Sequence, residues 1–486
     1  MSIYTANYQV EWKPGASWVD ITAYTLSVEG QFETTGANNG VAFGDSSSAA
    51  FSVTLDPARI GTLSLVVWEL VPVRVTFTMD VTVARGGAGV IVGLQRDTDT
   101  ATLQCEGYQR IISRTRMYSV LFERRPIATK TTATSVENPA SGGYAAGPIN
   151  YALWQSGGRP YEQAASYPTA SFYYSLQHAL IAPDVSWLAG EDAWEACLKL
   201  VRAAGGQLYQ RPDGVIAYVM PLSLANGTSV FSLSESDYES VEQNGAAGST
   251  MASVIVPYQT RYKAGMQQVI DDTTPRVVSV GETITIDLEP SYPLYGLETE
   301  SGGIVSGAVS ATFYDGRLVA QGSGYTHTLT LAAQRIMLTI TNVAAQPFVI
   351  ERIALRGIPS APGEAATVTL GSGQPALTIE PNDFIQTRAH AQRLGNMALD
   401  FFAQARPIIT VRGVLYNPAL DLGAIGTLTV SAWGISDTPV ALLGKRHADT
   451  GTKMDVTVVD ITGLPQIDDF FLVSTSAQIA TNRIGY

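Results

Sequence analysis

Apolar and polar residues alternate through Tyr8-Gln9-Val10-Glu11-Trp12, through Val73-Arg74-Val75-Thr76-Phe77-Thr78-Met79 and through Thr100-Ala101-Thr102-Leu103-Gln104-Cys105. A period of two puts every second side chain on one face, so each stretch predicts a half-buried strand. Lys13-Pro14-Gly15 supplies a turn after the first. Short strands between regular turn signals predict a sandwich or barrel over residues 1–125. Residues 126–182 lose the alternation and are rich in Ser, Thr, Ala, Gly, Tyr and Pro. Loops this long are commonly functional or mobile; a short helical piece is expected at Ile149–Gln155.

The period then changes. Trp194, Leu198 and Val201 recur at helical spacing, with Glu191 and Asp192 where a helix start favours negative charge and Gly205-Gly206 as the stop. Gln207–Gln210, the turn Pro212-Asp213-Gly214 and Val215–Val219 read as a hairpin, so helix and hairpin predict a small α+β unit. Strand patterns resume at Val254–Val256 and Val277–Leu288. They continue at Ala311–Phe313, Tyr325–Leu331, Ile336–Thr341 and Phe348–Leu355. Pro290 to Pro293 and Pro359 to Pro362 bracket part of this set, and an inserted β-sandwich is expected over 290–375. A second helix is expected from Asp383 to Gln404, with Leu394, Met397, Ala398 and Phe401 on its apolar face and Pro407 ending it. Strands at Ile408–Val411, Thr427–Val430, Val440–Leu443 and Met454–Val459 follow. The chain thus reads as mainly β with α+β insertions, in several domains. These are a barrel at 1–125, a loop-rich segment with the α+β unit at 126–250, and a second barrel with its helix at 251–289 and 376–486, interrupted by the sandwich.

Composition agrees with several cores and narrows the partners. A chain of 486 residues exceeds one ordinary core and implies two to four domains. With 45% hydrophobic and 15% charged residues it is not a disordered chain. A net charge of −13 opposes binding to phosphate backbones, which rests on Lys and Arg. The two cysteines, Cys105 and Cys197, lie in apolar contexts and read as buried free thiols, not as a disulfide framework. The N-terminus lacks a signal-peptide pattern, and the apolar run Ile60 to Phe77 is broken by Glu69, Pro72 and Arg74, so synthesis and folding in a cytoplasm are expected.

No constellation for chemistry emerges, and no catalytic, metal or cofactor residue is assigned. His178, His327, His390 and His447 are scattered, and none has the neighbours of a zinc site. Arg85-Gly86-Gly87-Ala88-Gly89 reads as a hairpin turn and lacks the Lys-Ser/Thr of a phosphate loop. Asp97 and Asp99 have the spacing of paired carboxylates but sit in Arg96-Asp97-Thr98-Asp99-Thr100, a polar turn. Glu235, Asp237, Glu239 and Glu242 form an acidic run expected to be a solvated face. Asn226-Gly227-Thr228 is a sequon without a secretion signal. Tyr144, Tyr151, Trp154, Tyr161, Tyr167, Phe172, Tyr173 and Tyr174 crowd one stretch, which suggests a subunit interface ahead of a sugar site or core packing.

A series of phrases, taken in order, resembles one family. They are Trp18–Thr22, Phe51–Pro57, Pro72–Val75, Gly93, Asp97–Thr100 and Leu103–Tyr108. The helix before Gly205-Gly206, then Leu420-Asp421-Leu422-Gly423 and the late His447 after Gly444-Lys445-Arg446, continue the series. The order resembles minor tail proteins of long-tailed phages, the family that includes baseplate hubs. It covers residues 8–120, 186–290 and 349–460, and departs from the family's pattern at Ala424, where an acidic residue is common. The resemblance implies two related β-barrels per chain and a homotrimer whose six barrels meet a six-fold tail tube. It also implies a channel gated for genome ejection, in a virion made in the host cytoplasm. Implied partners are the tail tube or distal tail protein, the tape-measure protein, other tail-tip or fibre proteins, DNA passing without specific binding, and the host surface indirectly. The rival reading is a receptor- or carbohydrate-binding tail protein, which would show solvent-exposed aromatics on the inserted sandwich. A cell-wall-degrading tail enzyme is a further rival.

Overall fold

The computed structural model describes residues 7–15, 17–33, 46–47, 49–56, 70–79, 82–117, 122–128, 147–166, 169–176, 181–185, 191–219, 228–247, 250–300, 303–305, 307–332, 334–404, 406–415, 417, 419–447 and 453–464. Its largest element is one 13-stranded sheet. The first half holds β1 (Asn7–Trp12), β2 (Val19–Asp20), β3 (Thr25–Glu33), β4 (Ala50–Leu55), β5 (Pro72–Met79), β6 (Thr82–Arg96) and β7 (Ala101–Glu106). The second holds β8 (Ser229–Leu233), β9 (Ser240–Ala247), β10 (Arg406–Leu415), β11 (Ile425–Val430), β12 (Ile435–His447) and β13 (Lys453–Asp460). The order is β9-β10-β13-β12-β3-β4-β7-β6-β5-β1-β2, with β11 pairing β12 and β8. The expected barrels at 1–125 and 376–486 are therefore two halves of one sheet, whereas 251–289, expected with the second barrel, pair in other sheets. A shared core runs from Val10, Phe51, Val75 and Leu103 to Phe231, Val411, Leu442 and Val456. Strands 229–247, expected with the α+β unit, belong to the second half, because Phe231 and Leu233 pack into this core.

The α+β unit has helices α1 (Pro148–Gln155) and α2 (Ala193–Ala204) and a five-stranded sheet. The side chain of Asp192 caps α2, accepting from the N–H groups of Trp194 (2.8 Å) and Glu195 (3.1 Å). Gly205, at φ 72°, ends it. The aromatic-rich segment contributes to the core: Ile149, Leu153, Phe172 and Tyr174 pack with Trp194, Cys197 and Val201 of α2.

Helix α3 (Arg388–Phe402) starts later than its period predicts, because Thr387 caps it by accepting from the His390 N–H. It stops at Phe402, and Pro407 lies within β10. Arg406 donates to the Phe401 carbonyl at 3.2 Å, so the helix end is satisfied without a terminating proline. α3 lies on a ladder of 253–263 against 360–371. A Cβ at Gly395 would stand 2.5 Å from Leu370 Cδ1 and 3.0 Å from Val256 Cγ2, so a larger residue here requires the Leu370 side chain to shift.

Beyond the ladder stands the sandwich. Strands 267–272, 276–278, 294–297 and 309–313 pair with the long strand Phe348–Gly371, and a second sheet orders 283–288, 335–342 and 325–332. Ile270, Val278, Ile286 and Leu288 share one core with Leu338, Ile340, Phe348 and Ile350. Its edges therefore do not fall at 290 and 375. Pro290–Pro293 is a bend inside the unit and Pro359–Pro362 lies within the long strand; Ser360 N–H donates to the Pro293 carbonyl at 2.7 Å, and 360–371 leave the sandwich for the ladder.

Candidate assembly interface

The two halves of the long sheet are the same structure written twice. In the first, β5, β6 and β7 pair in succession, β7 pairs β4, and β4 pairs β3. In the second, β11, β12 and β13 pair in succession, β13 pairs β10, and β10 pairs β9. The registers coincide over the central stretches, although the bulges at Val411/Val414 and Gln243/Ala246 have no counterpart in the first half. Val90, Ile91, Gly93 and Leu94 face Glu106, Cys105, Gln104 and Leu103 across a bulge. Ala441, Leu442, Gly444 and Lys445 face Val459, Val458, Thr457 and Val456 across a bulge at the same place. Ser27-Val28-Glu29 opposes Thr54-Val53-Ser52, and Ser240-Val241-Glu242 opposes Arg412-Val411-Thr410. The repeated Ser-Val-Glu is a short identity, too brief for sequence reading to find. One difference is clear: β1 runs antiparallel to β5, whereas β8 runs parallel to β11.

The halves join edge to edge. Gly30, Gln31, Phe32 and Glu33 of β3 pair with His447, Arg446, Lys445 and Gly444 of β12. This seam lies beside a cluster of charges where the α+β unit meets the second half. Arg211 pairs with Asp213 at 2.6 Å and, through Nε, with Asp421 at 3.5 Å. Its guanidinium lies 5.9 Å from the Tyr161 ring centroid. Lys445 Nζ donates to the Leu420 carbonyl at 3.2 Å and stands 3.7 Å from Asp421. Tyr209 Oη donates to the Leu422 carbonyl at 3.2 Å. Burial pulls the Lys445 ammonium below the usual lysine range, against the opposing pull of Asp421, and pushes the Tyr209 phenol up. Burial also opposes the charge of Arg211, but Asp213 and Asp421 hold its pKa above the usual value. On the other side Gln210 ties the unit to the first half: Tyr108 N–H donates to its Oε1 at 2.5 Å, and its Nε2 donates to the Ala88 carbonyl at 2.6 Å.

The residues singled out by chemistry do not converge. Asp97 accepts from Thr98 N–H at 2.7 Å and donates its own N–H to the Thr100 carbonyl, which is turn chemistry. The acidic run is not merely solvated. Asp237 accepts from Ser234, Glu235 from the Ser431 N–H, Glu239 pairs with Lys453 and Glu242 with Arg412. Arg85–Gly89 lies inside β6, not in a turn, and a Cβ at Gly89 would stand 2.1 Å from the Glu106 carbonyl oxygen. Cys105 and Cys197 are buried free thiols that burial holds protonated. His390 is buried between α3 and α2, with Nε2 2.8 Å from the Ala203 carbonyl, while His327 lies beside Tyr325. His447 belongs to the seam by its backbone. Tyr144, Tyr167, His178 and Asn226-Gly227 lie outside the described residues. Trp154 stacks under Arg159 and Tyr173 meets Tyr161 edge-on. On the sandwich, Tyr314 (69%) and Tyr292 (41%) are exposed but apart: Tyr314 follows Phe313, which faces Phe348, and Tyr292 lies two residues before Leu294, which faces Pro359. Among the described residues no group of three His, Cys, Asp or Glu could hold a metal, and no helix is long and apolar enough to cross a membrane.

No family model matches the sequence, and no curated protein matches it. Solved structures similar to the chain include three tail proteins, two of them from prophages. The 43 kDa tail protein of prophage MuSo2 from Shewanella oneidensis has a TM-score of 0.45 at 10% identity, covering 93% of this chain and 98% of that one. A tail protein from Neisseria meningitidis MC58 has a TM-score of 0.43 at 10% identity, covering 94% and 98%. Prophage tail protein gp18 from Listeria monocytogenes EGD-e has a TM-score of 0.42 at 9% identity, covering 98% of each.

Proposed function

We propose that this chain is a structural hub of a phage tail tip or baseplate, joining a six-fold tube to a three-fold tip and gating the channel for genome ejection. The observation that carries the reading is the internal repeat: two register-matched half-sheets joined at β3 and β12. A chain holding two copies of one unit offers six equivalent units from three subunits, which meets a six-fold tube without six chains. Closed symmetric assembly also leaves no unsatisfied surface. The ordered phrases from Trp18 to His447 that resemble minor tail proteins support the same role.

In this reading the neighbours are the tail tube or distal tail protein, the tape-measure protein and other tail-tip or fibre proteins, in a virion assembled in the host cytoplasm. DNA passes through a lumen whose acidic or neutral lining does not hold it, in keeping with a net charge of −13. The protein performs no catalysis: Asp97 is engaged in its own turn, and the acidic run in ion pairs and caps. Imaging of the assembled tail tip without imposed symmetry tests the reading, with three copies expected. Six copies or one, or glycan or peptide hydrolysis abolished by a single carboxylate substitution, would overturn it.

A further inference from the structure

The sandwich has a core of its own. Among the described residues its apolar cluster draws only on residues 269–355. By contrast, one core joins α2, the ladder, α3 and part of the second half-sheet, and it takes up the two ladder strands at Tyr258 and Val368. Between these limits lies a waist, residues 259–268 and 356–367, where no described side chain joins any core. What crosses the waist is mainly backbone. Ala264 N–H donates to the Pro359 carbonyl at 3.0 Å, Ser360 N–H donates to the Pro293 carbonyl, and Lys263 pairs with Ser360. Arg261 Nη1 donates to the Ser360 carbonyl at 3.5 Å, and Lys263 Nζ lies 4.6 Å from the Tyr295 ring centroid. Bulges interrupt the pairing at Gln259/Arg261, Gln268/Ile270 and Leu294/Gly296; a bulge leaves a residue unpaired and bends its strand. A Cβ at Gly265 or at Gly296 would meet nothing within 4 Å.

We propose that this waist is a hinge, about which the sandwich swings as one body while the ladder, α3 and the long sheet stay together. A hinge is a short stretch that absorbs changes in φ and ψ between units that keep their own packing. Here the packing on both sides is separate, and only the few bonds of the waist must adjust. The fold sets the direction. Val256 and Leu370 meet α3, and Ile353 and Leu355 share the sandwich core with Leu338 and Ile340. Counted through the bulge at Gln259/Arg261, these residues lie on one face of the ribbon. α3 and the second sheet of the sandwich therefore stand on the same face, on either side of the waist. Tyr262, paired with Ala361 on that face, is 56% exposed between them. A swing toward α3 covers Tyr262, and a swing away uncovers it. The inference goes beyond the hub reading and does not rest on it; in a tail tip the sandwich is the part that moves while the repeated half-sheets stay fixed.

From Leu355 to Phe348 the long strand spans about 24 Å, so a swing of about 15°, the size that rigid-body rotations reach, moves its far end by about 6 Å. Spin labels on Thr328→Cys and Arg388→Cys in the full chain read this movement by pulsed electron resonance, since both positions are exposed and the native Cys105 and Cys197 are buried. Labelled chains are diluted into unlabelled ones, so that only distances within one chain are measured. Two control pairs lie within one body each: Thr328→Cys/Glu351→Cys in the sandwich and Thr367→Cys/Arg388→Cys in the ladder with α3. The distance distribution across the waist is expected to be wider than either control by about 6 Å or more. Adding Gly265→Ala and Gly296→Ala, which restrict the backbone without a clash, should narrow it and leave the controls unchanged. A distribution across the waist as narrow as the controls would overturn the hinge and leave the hub reading standing. A broad distribution within the sandwich would overturn the single moving body, and a width that the alanines leave unchanged would overturn the assignment to these residues.

Discussion

Leu70 and Gly423 occupy the same place in the two half-sheets, and both have positive φ, 63° and 76°. Leu70 N–H donates to the Ile91 carbonyl at 2.8 Å, and Gly423 N–H donates to the Leu442 carbonyl at 2.9 Å. The bend is required twice, but only one position has the residue that adopts it freely. A left-handed non-glycine residue costs about 1–2 kcal/mol. Leu70→Gly removes that strain but also a half-buried side chain, so its stability should change by less than about 1 kcal/mol. Gly423→Ala adds the strain and sets a Cβ 2.7 Å from Tyr209 Oη, so a loss of about 2 kcal/mol or more is expected. Urea unfolding of the two variants measures the asymmetry; equal losses would contradict it.

Gln210 is the polar tie between the α+β unit and the first half-sheet. Gln210→Met keeps the volume but removes both hydrogen bonds of a buried amide. A loss of about 2–4 kcal/mol is expected, since Tyr108 N–H and the Ala88 carbonyl both lose this partner. Differential hydrogen exchange should show the effect first at Tyr108. An unchanged unfolding midpoint would show that water replaces the amide at no cost.

The charges beside the seam should respond unequally. Asp421→Ala strips the carboxylate from the buried Lys445 ammonium and from Arg211, and should cost about 2–4 kcal/mol. Lys445→Met exchanges the buried charge for an apolar side chain of similar length and should be close to neutral. A double-mutant cycle measures the coupling; a larger loss for Lys445→Met than for Asp421→Ala would reverse the assignment.

His390 makes stability depend on acidity. Burial holds its pKa down at about 4, with Arg393 adding to the effect and the Ala203 carbonyl opposing it. Neutral His390 donates from Nε2 to Ala203, and Nδ1 is buried without a hydrogen-bond partner, so protonation would place a second N–H where nothing accepts it. The folded value lies below the unfolded value of about 6.5. Stability is therefore complete above pH 6.5 and is lost as pH falls toward 4, by on the order of 3 kcal/mol. The gap in unfolding free energy between the unsubstituted protein and His390→Gln, measured at pH 7.5 and at pH 4, should shift by that amount. A constant gap would show that His390 titrates normally.

Local rules in the chain were enough to determine its elements. Alternation at Tyr8–Trp12 and Val73–Met79 produced β1 and β5, and the spacing of Trp194 and Val201 before Gly205 produced α2. These signals are carried by neighbours in sequence, through side-chain period and end capping. Helix α3 was legible in its apolar face but not in its ends, because Thr387 and Arg406 act through single hydrogen bonds that leave no periodic trace. The sandwich was legible in its strands but not in its limits, since a proline marks a bend equally well inside a unit or at its edge. Only the tertiary structure decided what pairs with what. β3 meets β12 across more than 400 residues of chain, and β9 and β10 are neighbours although the ladder, the sandwich and α3 lie between them. The repeat itself rests on backbone registers and matched bulges, which many sequences satisfy equally. Hydrogen bonds between strands read the peptide backbone rather than side chains, so the two halves could keep one geometry while sharing almost no residues beyond Ser-Val-Glu.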